Sequence, residues 1–246
     1  MDLKGLGKRR RAPLGWYTRR PVRKDAATIR SMFGAITPTY DFLNHVLSFN
    51  TDQRWRRRAV KLAGPSGPVL DVCTGTGDLA AAFHDAVRTP VVGVDFCAPM
   101  LRRGRKKTEC AGVSFLQGDA LSLPFETGHF DVVSVGFGLR NVADPAAGLA
   151  ELARVTRPGG RIAILEFTYP RNACFRALYA AYFRGILPLI GNVVSRSRAY
   201  SYLNKSVTAW SSEEELAEMM RTAGCASVTI HPLTLGIAAV HLGVKA

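Results

Sequence analysis

Apolar residues in this chain come in short runs separated by polar, glycine-rich turns, and the runs alternate between two periods. Val69–Cys73, Val91–Asp95, Val113–Gln117, Phe130–Val135 and Arg161–Phe167 are brief stretches rich in valine and other aliphatic residues, the pattern of buried strands. Between them, Asp78–Ala86, Pro99–Thr108 and Pro145–Val155 carry helical periodicity, and Pro158-Gly159-Gly160 marks a turn before the fifth strand. A further helix over 213–223 and two closing strands, Val228–Ile230 and Ile237–Leu242, complete the series. Strands alternating with helices at this spacing predict an α/β fold: a doubly wound, seven-stranded, mostly parallel sheet of the Rossmann-like kind, covered on both faces.

Two segments depart from that rhythm. Residues 26–63 read as helical, broken near Thr37-Pro38, and Asp52–Leu62 is a strongly basic helix with Trp55, Ala59, Val60 and Leu62 as core contacts. Gly64-Pro65-Ser66-Gly67-Pro68 separates this N-terminal helical part from the first strand. After the fifth strand, residues 173–194 are dense in aromatic and aliphatic side chains. We expect a helical insertion over 173–210, serving as the core of a small subdomain or as an apolar lid for a greasy substrate. Residues 1–25 read as a basic, flexible arm and 26–246 as one domain.

Charge changes the picture mainly at the N-terminus. Of a formal net charge of +14, residues 1–24 supply +8, from nine basic residues and one aspartate. Such an arm suits an acidic surface, either membrane or nucleic acid, or is simply a solvated tail. Its Arg-rich, acid-poor composition leaves organelle targeting open, although Pro13, Gly15 and Pro21 weaken any amphipathic helix. No apolar run is long enough to span a bilayer. Five scattered cysteines without C-x-x-C spacing fit a reducing compartment rather than a disulfide or zinc framework, and no histidine pattern calls for a metal. The expected location is therefore cytoplasmic and peripheral to a membrane.

The sharpest chemical signal is Val69-Leu70-Asp71-Val72-Cys73-Thr74-Gly75-Thr76-Gly77-Asp78, a strand running into a glycine turn that opens a helix. Glycines let a ligand approach the backbone, and the helix N-terminus offers free N–H groups. Asp95, followed by Phe96, ends the next strand 18 residues beyond Gly77, where a carboxylate can take both ribose hydroxyls. Asp119, followed by Ala120, closes the third strand, where an adenine could lie. Gly75-x-Gly77-x-x-Ala80 with a later acid also fits a dinucleotide site. Asp71 lies inside the strand, where an acid can face a cationic ligand, and the ordered acids Asp71, Asp95 and Asp119 with the turn Arg157-Pro158-Gly159-Gly160 resemble the class I methyltransferase pattern, which implies S-adenosylmethionine instead.

Two longer blocks narrow the reading. Tyr40-Asp41-Phe42-Leu43-Asn44-His45-Val46-Leu47-Ser48-Phe49-Asn50-Thr51-Asp52-Gln53-Arg54-Trp55 resembles the first signature of the menaquinone/ubiquinone biosynthesis C-methyltransferase family, with Leu43 in place of Met and Asp52 in place of His. Arg154-Val155-Thr156-Arg157-Pro158-Gly159-Gly160 and the following Glu166-Phe167-Thr168 resemble the second, and Gly136-Phe137-Gly138-Leu139-Arg140-Asn141 resembles the S-F-G-L-R-N block between them. The tail from Leu233 to Gly243 is also similar, so the resemblance covers roughly residues 30–244.

That resemblance implies a class I S-adenosylmethionine-dependent enzyme that methylates a ring carbon of a reduced polyprenyl quinol. Demethylmenaquinol is favoured by the breadth of that branch, and 2-polyprenyl-benzoquinol is the alternative. Thr76, Asp95, Asp119 and Ala120 map to cofactor contacts, and Gly136 to a contact serine whose place only backbone can fill here. Tyr40, Arg140 and Asn141 map to the substrate end. Arg140 suits a fixed cation beside a developing phenolate, while Asp41 and His45 are candidate proton acceptors. A methyltransferase acting on a soluble metabolite or RNA is a further reading, although no nucleic-acid-binding motif occurs. A non-catalytic binding module is a third. The oligomeric state, a homodimer included, stays open.

Overall fold

Seven strands form one sheet in the order β3-β2-β1-β4-β5-β7-β6. They are β1 (Val69–Val72), β2 (Val91–Asp95), β3 (Val113–Gln117), β4 (Phe130–Gly136), β5 (Thr156–Phe167), β6 (Cys225–Leu233) and β7 (Ala238–Lys245). β1 to β5 pair in parallel, and β7 runs antiparallel to both β5 and β6. The computed structural model describes residues 25–87, 89–107, 112–170, 172–181 and 209–246, with residues 185, 202, 206 and 207. The arm over 1–24 and most of the expected insertion lie outside the described residues.

The helices are α1 (Ala26–Ile36), α2 (Tyr40–Leu47), α3 (Thr51–Ala63), α4 (Asp78–Val87), α5 (Ala98–Lys107), α6 (Pro145–Val155), α7 (Ala173–Ala181) and α8 (Glu213–Thr222). Each boundary has a local cause. Asp25 caps α1 by accepting from the Thr28 amide at 2.9 Å, and Pro38 separates α1 from α2. α3 stops at Gly64, which takes the left-handed conformation. Asp144 caps α6 ahead of Pro145, and Ser212 with Glu215 forms a capping box on α8.

Alternation along the central strands divides the core in two. Leu70, Val72, Val133, Val135, Ile162 and Ile164 face α6 and α8, where Leu149, Leu152, Leu216 and Met220 meet them. Val69, Val132, Ala163 and Leu165 face α3 and α4, against Trp55, Ala59, Val60 and Phe83. β1 lies at the point where chain order reverses, with β2 on one side and β4 on the other, so the ligand crevice falls beyond the carboxyl ends of β1 and β4.

The strand boundaries shift from the sequence reading: β4 runs on to Gly136 and β7 spans Ala238–Lys245, and β1, β5 and β6 change for reasons visible in the backbone. β1 ends at Val72 because Cys73 turns left-handed, with φ 56°. β5 begins at Thr156 rather than Arg161: Thr156 pairs with Phe130, and the Pro158-Gly159-Gly160 turn is absorbed as a register shift before Arg161 joins Val132. β6 begins at Cys225 and includes Pro232, which an edge strand tolerates.

Candidate active site

At the carboxyl ends of β1 and β4 the backbone is strained in two places. Cys73 and Phe137, neither of them glycine, have φ of 56° and 58°. Such residues cost about 1–3 kcal/mol each and persist where the surroundings fix them. Gly138 lies between the two strand ends so closely that a Cβ there would stand 2.3 Å from the Cys73 Cβ. The crevice is thus built on a close approach that only glycine allows.

Two cavities open from this crevice and share Phe33, Tyr40 and Phe137 in their walls. The first is lined by Gly75, Asp95, Phe96, Asp119, Ala120, Gly136 and Asn141 among others. Asp95 closes β2, its two oxygens each accepting a backbone amide at 2.8 Å, from Gly75 and from Cys97. Burial pushes the Asp95 carboxyl above its ordinary range, against those hydrogen bonds. Each oxygen keeps a lone pair, so the carboxylate can still receive a vicinal diol. Asp119 accepts from the Leu121 amide at 3.0 Å and stands exposed at the end of β3. This cavity is narrow, about 90 Å³, against roughly 300–1,000 Å³ for ligand clefts in general.

Successive residues of the glycine loop point in different directions. Only Gly75 of the four residues Thr74 to Gly77 lines a cavity. Thr74 turns down to donate to Asp71 at 2.6 Å, in space left by Gly93, where a Cβ would meet the Thr74 hydroxyl at 2.9 Å. Asp71 also accepts from Ser134 on β4 at 2.7 Å. It lines neither cavity and supports the loop from below; burial raises its carboxyl to about 6 against both hydrogen bonds. Gly77 makes room for the Phe115 ring, 2.6 Å from where its Cβ would be. Thr76 donates to Asp41 at 2.5 Å, and so ties the loop to α2.

That bond decides the place of Asp41. Arg103 and Lys107 on α5 lie 3.0 Å and 3.4 Å from its second oxygen. Burial would raise this carboxyl, but Thr76, Lys107 and Arg103 together hold it below the usual range. Asp41 is a latch between α2, the glycine loop and α5 and is not among the residues that line the second cavity.

The second cavity, about 560 Å³, is walled by apolar side chains of α1, α2, α3 and α7, with Phe137, Phe167 and Ile237 from the sheet side. Tyr40, Asp52, Arg56, Arg140, Tyr179 and Tyr202 are its ionisable residues. Arg140 is buried, donates to the Phe137 carbonyl at 2.5 Å and to Glu166 at 2.6 Å, and stacks over Phe167. Its Nε is buried without an acceptor among the described residues. Asn141 accepts from the Tyr202 hydroxyl at 3.0 Å and lines the first cavity rather than the second. Burial raises the Tyr40 phenol above 10, despite Asn44 and the Arg56 and Arg140 charges, so it stands as a neutral donor.

Arg56 is the residue that the sequence reading missed. It sits among Arg54, Arg57 and Arg58, which are exposed, yet Arg56 itself is buried at the cavity wall. It is ion-paired to Asp52, 3.4 Å from Asp78, and its guanidinium lies over the Phe137 ring. The available signal was its i,i+4 spacing from Asp52 on the face that carries Trp55 and Ala59. Asp52, the position at which the family signature has His, accepts from Ser48 at 2.6 Å and meets the His45 ring at 2.9 Å. An imidazole is thus still present, supplied from α2. His45, Asp52 and Asp78 place ligand-type atoms within 4.8 Å of one another, and the Arg56 guanidinium already supplies a cation to both acids.

Comparison with known proteins agrees with this geometry. Residues 21–245 match the ubiE/COQ5 methyltransferase family. A demethylmenaquinone methyltransferase of Thermus thermophilus is 49% identical over 218 residues, 86% of this chain and 99% of that protein. A ubiquinone/menaquinone biosynthesis C-methyltransferase UbiE of Geotalea uraniireducens is 44% identical over 227 residues, 88% of this chain and 96% of its own length. In fold, the chain is similar to a SAM-dependent methyltransferase of Thermotoga maritima, with TM-score 0.61 at 22% identity, covering 87% of this chain and 100% of that one. It is also similar to the cyclase SpnF, with TM-score 0.66 at 15% identity over 92% and 97% of the two chains.

Proposed function

The chain belongs to the ubiE/COQ5 methyltransferase family, and from that premise we propose the reaction its two cavities serve. A methyl group passes from S-adenosylmethionine to a ring carbon of a reduced polyprenyl quinol, with demethylmenaquinol as the substrate. The observation that carries this reading is the junction of an acid-lined cradle and an aromatic cavity at Phe33, Tyr40 and Phe137. The relatives' names cover both menaquinone and ubiquinone biosynthesis, so 2-polyprenyl-benzoquinol is the alternative substrate.

When bound, the donor supplies a methyl on a cationic sulfur and is left a neutral thioether; the ring gives up one proton in exchange. The residues of the first cavity fit that donor: Asp95 for its ribose, Asp119 and Ala120 toward its base, and backbone of Gly75 and Gly136 at close approach. In the second cavity the ring carbon must be electron-rich, which requires the hydroquinone and is best met by its phenolate. A phenol titrates near 10 in water, so the wall must favour the anion. Arg140 and Arg56 place two permanent cations there, each held by a carboxylate behind it. Tyr40 donates to a quinol oxygen as a neutral phenol. Asp52 is the carboxylate that lines this cavity among the described residues; burial would raise it, but Ser48, Arg56 and His45 hold it below the usual range, so it stays the anion that keeps Arg56 and relays the departing proton to the His45 ring bonded to it at 2.9 Å. Holding the ring carbon in line with the donor's methyl where the two cavities meet, beside Phe33, Tyr40 and Phe137, supplies the rest of the acceleration.

The test is single-turnover methyl transfer under reducing and oxidising conditions, with naphthoquinol and benzoquinol in parallel. Methylation of the quinol and not of the quinone is expected, fastest with demethylmenaquinol. Equal reaction of the oxidised ring overturns the nucleophile assignment. We place the enzyme on the cytoplasmic side, peripheral to the membrane that holds its substrate. No described helix is long and apolar enough to cross a bilayer, and the +8 arm is suited to an anionic surface. Transfer to RNA is not favoured, since the second cavity is walled with apolar side chains.

A further inference from the structure

Seven large apolar side chains are prominently exposed among the described residues, and five of them belong to segments that line the 560 Å³ cavity. Phe49 and Leu178 line that cavity and yet are 81% and 66% exposed, which makes them its rim. Leu235, 71% exposed, lies between Thr234 and Ile237, which both line it. Phe42 and Val46, 60% and 43% exposed, stand on the outer face of α2, whose other face presents Tyr40, Asn44 and Leu47 to the cavity. Two of these side chains are held out by backbone that resists it: Phe49 and Leu235 have φ of 52° and 57°. α3 begins directly after this rim and exposes Arg54, Arg57, Arg58 and Lys61, with no exposed acid on the same helix.

We infer that this mouth is the face by which the protein docks on an anionic lipid bilayer, with Phe42, Phe49, Leu178 and Leu235 entering the interface and the α3 cations meeting the headgroups. The inference rests on the polyprenyl quinol proposed as substrate. A cavity of about 560 Å³ takes the ring and the start of a polyprenyl tail. The remainder of a long tail must leave through the mouth, and an apolar rim pressed on a bilayer lets it stay in hydrocarbon throughout. An amphipathic combination of aromatic and leucine side chains with arginines is the chemistry of interfacial binding. A second copy of the chain is a poorer occupant: it would bring two α3 cation clusters together and close the exit.

The experiment uses the full chain and phosphatidylcholine vesicles with and without phosphatidylglycerol, free of any quinol. The variants are Phe42→Ser/Leu235→Asn, both outside the cavity wall, and Arg54→Gln/Arg58→Gln. The wild type should bind the anionic vesicles and blue-shift a Phe49→Trp reporter, which brominated lipid then quenches. The apolar pair should weaken binding on the order of tenfold for each side chain removed. The arginine pair should weaken it about fivefold per charge and lower its salt dependence. Methylation of a short-chain, soluble quinol by Phe42→Ser/Leu235→Asn should match the wild type. Unchanged vesicle affinity in the apolar pair overturns the docking face, as does a wild-type dimer that this pair splits without effect on lipid binding. Wild type that binds vesicles by this rim but never methylates the soluble quinol leaves the docking result standing and refutes the substrate.

Discussion

Replacing Arg140 removes two things at once, and the structure indicates how to separate them. The guanidinium is buried, 2.6 Å from a Glu166 carboxylate that has no solvent exposure. Arg140→Ala therefore strips a buried carboxylate of its cation, a change that typically costs about 3–5 kcal/mol. For a chain of this size each kcal/mol moves the melting temperature by roughly 2–4 °C, so the single variant should melt roughly 6–20 °C lower, and its lost activity alone proves nothing about chemistry. Arg140→Met/Glu166→Gln removes both charges and keeps the volume. A buried pair replaced this way is often neutral in stability, so the double variant should recover most of the melting temperature. Its turnover should not recover. If Arg140 stabilises the phenolate in the transition state, losing it costs on the order of 100- to 1000-fold, with donor affinity nearly unchanged. Differential scanning calorimetry and single-turnover methyl transfer on the two variants decide the matter. A double variant with near-wild-type melting and near-wild-type turnover would reduce Arg140 to a structural ion pair and refute the oxyanion role.

Asp95→Asn should weaken S-adenosylmethionine binding about 10- to 100-fold, the usual loss for a charged hydrogen bond, and calorimetric titration showing unchanged affinity would remove Asp95 from the ribose site. Gly138→Ala drives a Cβ to 2.3 Å from the Cys73 Cβ; thermal melting should show a loss of about 1–3 kcal/mol or more, and a wild-type melt would mean that the strand ends are not held as close as described. Asp71 carries a carboxyl raised to about 6 in the fold from 3.8, so the folded state holds the extra proton and stability rises as pH falls from 7 toward 4. Relative to Asp71→Asn, the wild type should gain up to about 3 kcal/mol across that window, and parallel denaturation profiles for the two proteins would contradict the burial argument.

The sheet was legible because buried parallel strands must be continuously apolar and helices must be capped, and both demands leave marks on neighbouring residues. Where the reading slipped, the cause was a backbone state that side-chain type does not encode. Cys73 gives no sign that it turns left-handed. Pro158-Gly159-Gly160 looks like a turn, and only its pairing partners on β4 make it part of a bulged strand. The early start of β6 at Cys225 depends on antiparallel pairing with β7 at the edge of the sheet, where alternation with solvent masks the apolar run.

The site was legible in its motifs and less so in its roles, for one physical reason: residues adjacent in sequence face opposite ways. Within Thr74-Gly75-Thr76-Gly77, four neighbours serve four different partners: Asp71, the cavity, Asp41 and the Phe115 ring. A glycine motif marks where the chain is crowded, and here part of the crowding is internal packing rather than ligand. Arg56 shows the converse. Four arginines in five positions read as a solvated face, and one of them is drawn inward because Asp52 lies one turn before it and Asp78 reaches it from α4. The pairing of Arg140 with Glu166 likewise joins residues 26 apart in sequence, through adjacent strands that place a turn residue of one beside the end of the other. A cation at the cavity wall is usable for catalysis only if a countercharge behind it lowers the cost of burying it. In this chain both cavity arginines have one, and the countercharges, Glu166, Asp52 and Asp78, are as much a part of the chemistry as the arginines they hold.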